Sequence, residues 1–246
     1  MKAAGGVMRP FYRKDLFRED IITSSPMEHQ VKIDSEEMCF ETLKMEKGQS
    51  IELSSDEYEV GIVILSGMIT IQAEEFVAEH IGQRKDVFSG KPTAVYIPCE
   101  TDYQIKATGY GIIEIALCKL KAKSKGKPFV LMPEDIETKV QGVFNWKRKI
   151  HEIMVGGQAG RLIIGESYGC PGAWAVYPYK DDKSKSIFYF KLSPNQNKRV
   201  QVMRDINNPR TYYVQNNTTL MMQNTYEPIP EIEKYQVYYL WFKIMS

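Results

Sequence analysis

Glu59 to Ala73 reads EVGIVILSGMITIQA, and it decides the fold class. Val60 to Leu65 is a short run rich in β-branched residues, with the length and composition of a buried strand. After Ser66-Gly67 the chain resumes at Met68 with apolar and polar residues in alternation, as on a half-buried strand. The Ser66-Gly67 break predicts a tight hairpin whose arms are Gly61 to Leu65 and Met68 to Ala73.

The same texture extends in both directions. Thr93 to Pro98 (TAVYIP), Tyr103 to Ala107 (YQIKA), Gly111 to Cys118 (GIIEIALC), Arg161 to Tyr168 (RLIIGESY), Ser186 to Leu192 (SIFYFKL) and Gln236 to Met245 (QVYYLWFKIM) are similar runs. They recur about every 8 to 12 residues with turn residues between them, the pattern of an all-β sandwich or barrel. Helical periodicity is confined to a short piece near Arg13 to Asp20. Lys119 to Phe129 (KLKAKSKGKPF) is a basic run ending in Gly126 and Pro128, and it predicts a linker. Two β-domains are therefore expected, residues 1 to 125 and 126 to 246, each near the commonest domain size.

Composition narrows the function classes. Of 246 residues 43% are hydrophobic and 26% charged, with 32 Lys and Arg against 31 Asp and Glu. That balance gives no electrostatic case for a nucleic-acid partner. The N-terminal stretch has no apolar signal core and the apolar runs are too short to span a bilayer, so a cytoplasmic chain without a membrane partner is expected. Cys39, Cys99, Cys118 and Cys170 stand far apart. Buried free thiols are expected rather than a zinc cluster or a disulfide framework.

Few motifs carry chemistry. Val155 to Arg161 (VGGQAGR) is Gly-rich but lacks phosphate-loop spacing and precedes a strand, so it reads as a hairpin loop. Asn216 and Asn217 read as a turn. The only histidines are His29, His80 and His151. His151 is flanked by Ile150 and Ile153, the setting of a hydrogen-bonded structural histidine. Tyr177, Tyr179, Phe188, Phe190, Tyr212, Tyr226 and Tyr238 suit either a barrel core or a pocket whose phenols meet a polyol.

Several separated stretches together resemble the 5-deoxy-glucuronate isomerase family, bicupin enzymes of myo-inositol breakdown. They are Glu59 to Ile71, Gln83 to Pro98 (QRKDVFSGKPTAVYIP), Val140 to Met154 (VQGVFNWKRKIHEIM), Trp174 to Asp182 (WAVYPYKDD) and Thr225 to Met245 (TYEPIPEIEKYQVYYLWFKIM). In the third, Gly142, Asn145, Arg148 and His151 match the family's G-x-x-N-x-x-R-x-V-H segment. The resemblance implies two tandem cupin-type, jelly-roll-like barrels with few short helices. It also implies a sugar-acid ligand met by His151, Arg148, Tyr177 and Tyr226.

The resemblance implies a divalent metal too, zinc or manganese, held in the second barrel by the histidines of H-x-H, a following glutamate and a last histidine. Here Lys180 and Asp182 occupy the H-x-H positions, Lys185 or Ser186 the glutamate position, and Glu227 the last histidine position. Two residues apart on a strand share a face, so Lys180 and Asp182 are expected to point together. One outcome is an ion cluster in which the Lys180 ammonium takes the volume of the metal between Asp182 and Glu227. Another is weak binding of a hard cation by those two carboxylates. No bound cofactor is expected in the first case.

Three functions follow from these positions. One is an aldose-ketose isomerase with an impaired or altered site, in which Glu227, Asp182 and Lys180 stand at the catalytic centre. A second is a non-catalytic cupin binding a sugar acid or a protein. The third uses Lys180 as an amine nucleophile, which two flanking carboxylates oppose by stabilising its ammonium. A homo-oligomer is expected in each case.

Overall fold

The structure is a computed structural model. It describes residues 27–143, 147–155, 157, 160–169, 185–193, 200–204, 210–223 and 236–244. The described residues form strands and turns with no helix. The piece near Arg13 to Asp20 lies outside them. The first half supplies β1 (Glu28–Asp34), β2 (Met38–Met45), β3 (Ser50–Ser54), β4 (Tyr58–Ser66), β5 (Ile69–Ala73), β6 (Phe76–Ile81), β7 (Thr93–Ile97), β8 (Asp102–Ala107) and β9 (Ile113–Lys121). Then follow β10 (Phe129–Leu131), β11 (Glu137–Gln141), β12 (Arg148–Met154), β13 (Leu162–Gly169), β14 (Lys185–Ser193), β15 (Val200–Arg204), β16 (Arg210–Val214), β17 (Thr219–Gln223) and β18 (Gln236–Ile244).

The halves repeat one arrangement. The first has a six-stranded sheet in the order β1-β2-β9-β4-β7-β10 and a four-stranded sheet β3-β8-β5-β6. In the second, the six-stranded sheet runs β11-β12-β13-β18-β14-β17, beside the pair β15-β16. In both large sheets the last long strand of the half sits between an early strand and a middle one. Ile51, Ile62, Ile71, Ile105 and Leu117 fill the first barrel between its two sheets, and Phe188, Phe190, Val237 and Tyr239 pack together inside the second.

Alternation along the strands creates a third core between the halves. Residues one step out of phase with the barrel interiors, among them Phe40, Val63, Tyr96, Ile164, Tyr189 and Phe242, bury their side chains against one another. Phe40 lies 5.3 Å from Tyr189 and 5.8 Å from Phe242, ring centre to ring centre. The two large sheets are thus packed face to face and apolar on both faces, which explains their near-continuous hydrophobic runs. Each fully buried aliphatic or aromatic side chain here contributes about 1.5 to 3 kcal/mol. Gly61 permits a close approach, since a Cβ there would overlap the Ile164 side chain.

Two expectations are corrected. β4 and β5 do not form a hairpin: β4 pairs with β7 and β9, while β5 pairs with β6 and β8. At Ser66-Gly67 the chain crosses between the sheets. Gly67 takes φ +85 and donates its N–H to the Arg84 carbonyl, while Thr108 and Gly109 donate to the Met68 carbonyl. The turn therefore serves a barrel corner instead of a two-strand ladder. The linker is also shorter than expected, because Lys119 to Lys121 complete β9, and β10 joins the first half's sheet beside β7. Lys119 is buried against Glu41 at 2.6 Å, so its charge is an internal partner and no sign of a loop.

Other readings agree with the structure. The Gly-rich Val155 to Arg161 joins the antiparallel strands β12 and β13. Asn217 sits in a turn with φ 66. Cys39, Cys99 and Cys118 are buried free thiols, and Cys170 lies outside the described residues.

Candidate functional site

The interior face of the second barrel follows from strand register. Phe188, Phe190 and Tyr239 pack inside it. Cross-strand partners share a face, so the row Ile150, Ser167, Tyr239, Phe190 and the row Glu152, Gly165, Trp241, Phe188 line that interior. Arg148 belongs to the same face, two residues before Ile150 and opposite Gly169. Its Nη2 donates to Gln141 at 3.1 Å, while its Nε is buried without a hydrogen-bond partner among the described residues. Such a guanidinium suits a carboxylate, which accepts two parallel hydrogen bonds.

His151 faces the other way. An odd spacing of three on a strand puts it opposite Arg148, so the two expected ligand contacts are not brought together. It pairs with Glu166, and the row continues through Leu240 and Tyr189 into the core between the halves. His151 is 2% exposed and Glu166 0%. His151 Nδ1 lies 2.7 Å from Glu166 Oε1. A carboxylate can only accept, so Nδ1 carries the proton, and Nε2 lies 3.2 Å from the Tyr168 hydroxyl, within hydrogen-bond reach. Tyr238 donates to Glu166 Oε2 at 2.9 Å.

Arg84 completes this cluster from the first half. Its Nη1 donates to both oxygens of Glu166 at 2.9 Å, and its Nε to the Ile64 carbonyl at 3.0 Å. Burial works against the Arg84 charge, but Glu166 outweighs it and holds the guanidinium above its ordinary value. Burial first and Glu166 second push the phenols of Tyr168 and Tyr238 up. The arrangement withdraws these groups from water with each residue hydrogen-bonded, although Arg84 Nη2 is buried without a partner among the described residues, and it joins the halves. Sequence reading missed Arg84 and Glu166. The available signal was Glu166 itself, a lone carboxylate within the apolar run RLIIGESY, which needs a buried cation or several donors.

A second buried cluster lies inside the first barrel. Glu41 accepts from Lys119 at 2.6 Å and from His29 Nε2 at 2.7 Å, with Cys39 Sγ 3.5 Å away. Burial alone would raise the Glu41 carboxyl, but the hydrogen bonds from His29 and Lys119 and the Lys119 charge hold it below its ordinary value. Burial, then the Glu41 charge, pushes the Cys39 thiol up to about 12, so it is an unreactive thiol.

Lys180, Asp182, Glu227, Tyr177 and Tyr226 lie outside the described residues. Lys185 is half-exposed at the start of β14, its Nζ 3.3 Å from Glu37, and Ser186 is buried beside it. Among the described residues no three His, Cys, Asp or Glu side chains converge as a metal site. Glu152, the one carboxylate in the interior rows traced above, is held by Lys139 at 2.6 Å.

Among the described residues no helix is long and apolar enough to cross a membrane. The chain is 27% identical over 214 residues to the 5-deoxy-glucuronate isomerase of Geobacillus kaustophilus, covering 82% of this chain and 77% of that protein. It is 29% identical over 229 residues to the 5-deoxy-glucuronate isomerase of Bacillus licheniformis, with coverages of 86% and 84%. The crystal structure of an IolB-like protein from Salmonella typhimurium superposes with a TM-score of 0.78 at 24% identity, over 85% of this chain and 84% of that one. A cupin 2 conserved barrel domain protein from Leptotrichia buccalis superposes with a TM-score of 0.53 at 13% identity, over 91% and 92%. These two structures establish the fold as a bicupin. The KduI/IolB profile matches residues 17 to 245, and the chain belongs to the KduI/IolB family.

Proposed function

We propose that this chain is an isomerase-family bicupin that binds a sugar acid in its second barrel, with its isomerase chemistry impaired by replacement of the metal ligands. The observation that carries the reading is the family match across nearly the whole chain, with relatives named 5-deoxy-glucuronate isomerase. Arg148 supports it: an arginine on the interior face, with one buried N–H unpartnered among the described residues, suits the carboxylate of a sugar acid.

Aldose-ketose isomerisation moves a proton between adjacent carbons while an electrophile stabilises the developing oxyanion. In the family resemblance a divalent metal supplies that electrophile. At its positions this chain has Lys180, Asp182 and Glu227, and we assign them to an ion cluster that takes up the same volume. Tyr177 and Tyr226 complete the ligand contacts in this reading, and the assembly is a homo-oligomer. The same replacement favours a second reading, a binding protein for a sugar acid without turnover.

Assay of 5-deoxy-D-glucuronate with manganese, with zinc and with EDTA, alongside metal analysis of the purified protein, tests both. Slow turnover insensitive to EDTA supports the first reading. Saturable binding without turnover supports the second. Stoichiometric metal with EDTA-sensitive turnover, abolished by Asp182→Ala or Glu227→Ala, overturns the ion cluster.

A further inference from the structure

A cleft of about 330 Å³ opens between the two halves, apart from the second barrel's interior. Its first wall is the end of β4 with the loop after Arg84, including Leu65, Lys85, Val87 and Phe88, and its second is the end of β14 with Lys191 and Leu192. Both halves are needed to form it. The volume falls within the usual range for small-ligand sites.

The acceptors around this cleft are largely committed. Glu114 receives Lys191 Nζ at 2.6 Å on each oxygen and the Tyr189 hydroxyl at 3.4 Å. Asp86 Oδ1 receives the Phe88 N–H at 2.9 Å, and Asn216 Oδ1 receives the Leu192 N–H at 3.1 Å. Donors are left over. An ammonium has three N–H groups, and Glu114 takes two of those on Lys191. Exposed Lys85 has no partner among the described residues. Burial, together with the charges of Lys44 and Lys32, outweighs Glu114 and holds Lys191 below its ordinary value.

We propose that this cleft is a binding site for a compact organic anion, whose charged oxygens meet Lys85 and Lys191 and whose apolar body lies against Phe88 and Ile112, the apolar lining residues that reach solvent. A site walled by both halves ties occupancy to their relative placement. The inference stands independently of the reading of the second barrel.

Calorimetric titration of the full chain with sodium benzoate, and separately with inorganic phosphate, at constant ionic strength tests the site. Saturable benzoate binding is expected, weakened about tenfold by Lys85→Glu, the loss of one charge-assisted contact. Lys85 is exposed, so this variant is expected to fold like the parent. Arg148→Ala should leave benzoate binding intact. Absence of saturable benzoate binding overturns the proposal, whether or not phosphate binds. Benzoate binding that survives Lys85→Glu overturns it as well, and so does binding lost in Arg148→Ala, which belongs to the barrel.

Discussion

Arg84 Nη1 lies 2.9 Å from each carboxylate oxygen of Glu166, 82 residues further along the chain and in the other half of the molecule. Both side chains are almost wholly withdrawn from water. Removing one partner leaves the other charge buried, which costs about 3 to 5 kcal/mol. Arg84→Met and Glu166→Leu should each lower stability by that order in urea denaturation. The double variant should lose clearly less than the sum of the two, since its core holds no orphaned charge. Strict additivity would show that the pair does not act as a unit.

Arg148 and His151 should behave oppositely, because strand alternation puts them on different faces. Arg148→Ala should keep stability within about 1 kcal/mol while weakening sugar-acid binding. His151→Ala should destabilise by about 1 to 3 kcal/mol, by stripping Glu166 and Tyr168 of a partner, with binding by the folded fraction retained. Thermal denaturation paired with a binding titration separates the two effects. Loss of binding in a stable His151 variant would contradict the assignment of faces.

Glu41 gives the fold an acid-side dependence. Its folded carboxyl is held below the ordinary 4.5, so the folded state has the greater hold on the ionised form. That contribution is complete above about pH 4.5 and is lost as pH falls through the lower folded value. Glu41→Gln should be less stable near neutrality and should lose part of the decline that the parent shows on acidification. Melting curves between about pH 3 and 6 measure this, and parallel declines in the two proteins would remove Glu41 from the explanation.

Gly61 marks a close contact between the halves. A side chain there meets Ile164 and then Leu162, so Gly61→Val should cost about 1 to 3 kcal/mol by overpacking. Shortening the opposing residue in Gly61→Val, Ile164→Ala should recover part of the loss, read as the midpoint of urea unfolding. No recovery would place the strain elsewhere.

Local composition was enough to establish an all-β chain with two similar halves, because strand length, β-branched content and turn residues are properties of neighbouring positions. The quoted motifs were enough to suggest a bicupin family and to single out Arg148. Partners distant in sequence were not legible. Glu59 to Ala73 looked like a hairpin because a strand, a turn and a strand are all it contains, yet β4 and β5 serve different sheets, and the choice was made by β7, β8 and β9 arriving later in the chain. Lys119 looked like linker charge until β9 carried it against Glu41. His151 matched a family motif beside Arg148, but the sheet turned it into the contact between the halves, where Arg84 and Glu166 meet it. A buried charge is tolerable only where its partner arrives, and that is decided by which strands pair and which faces pack.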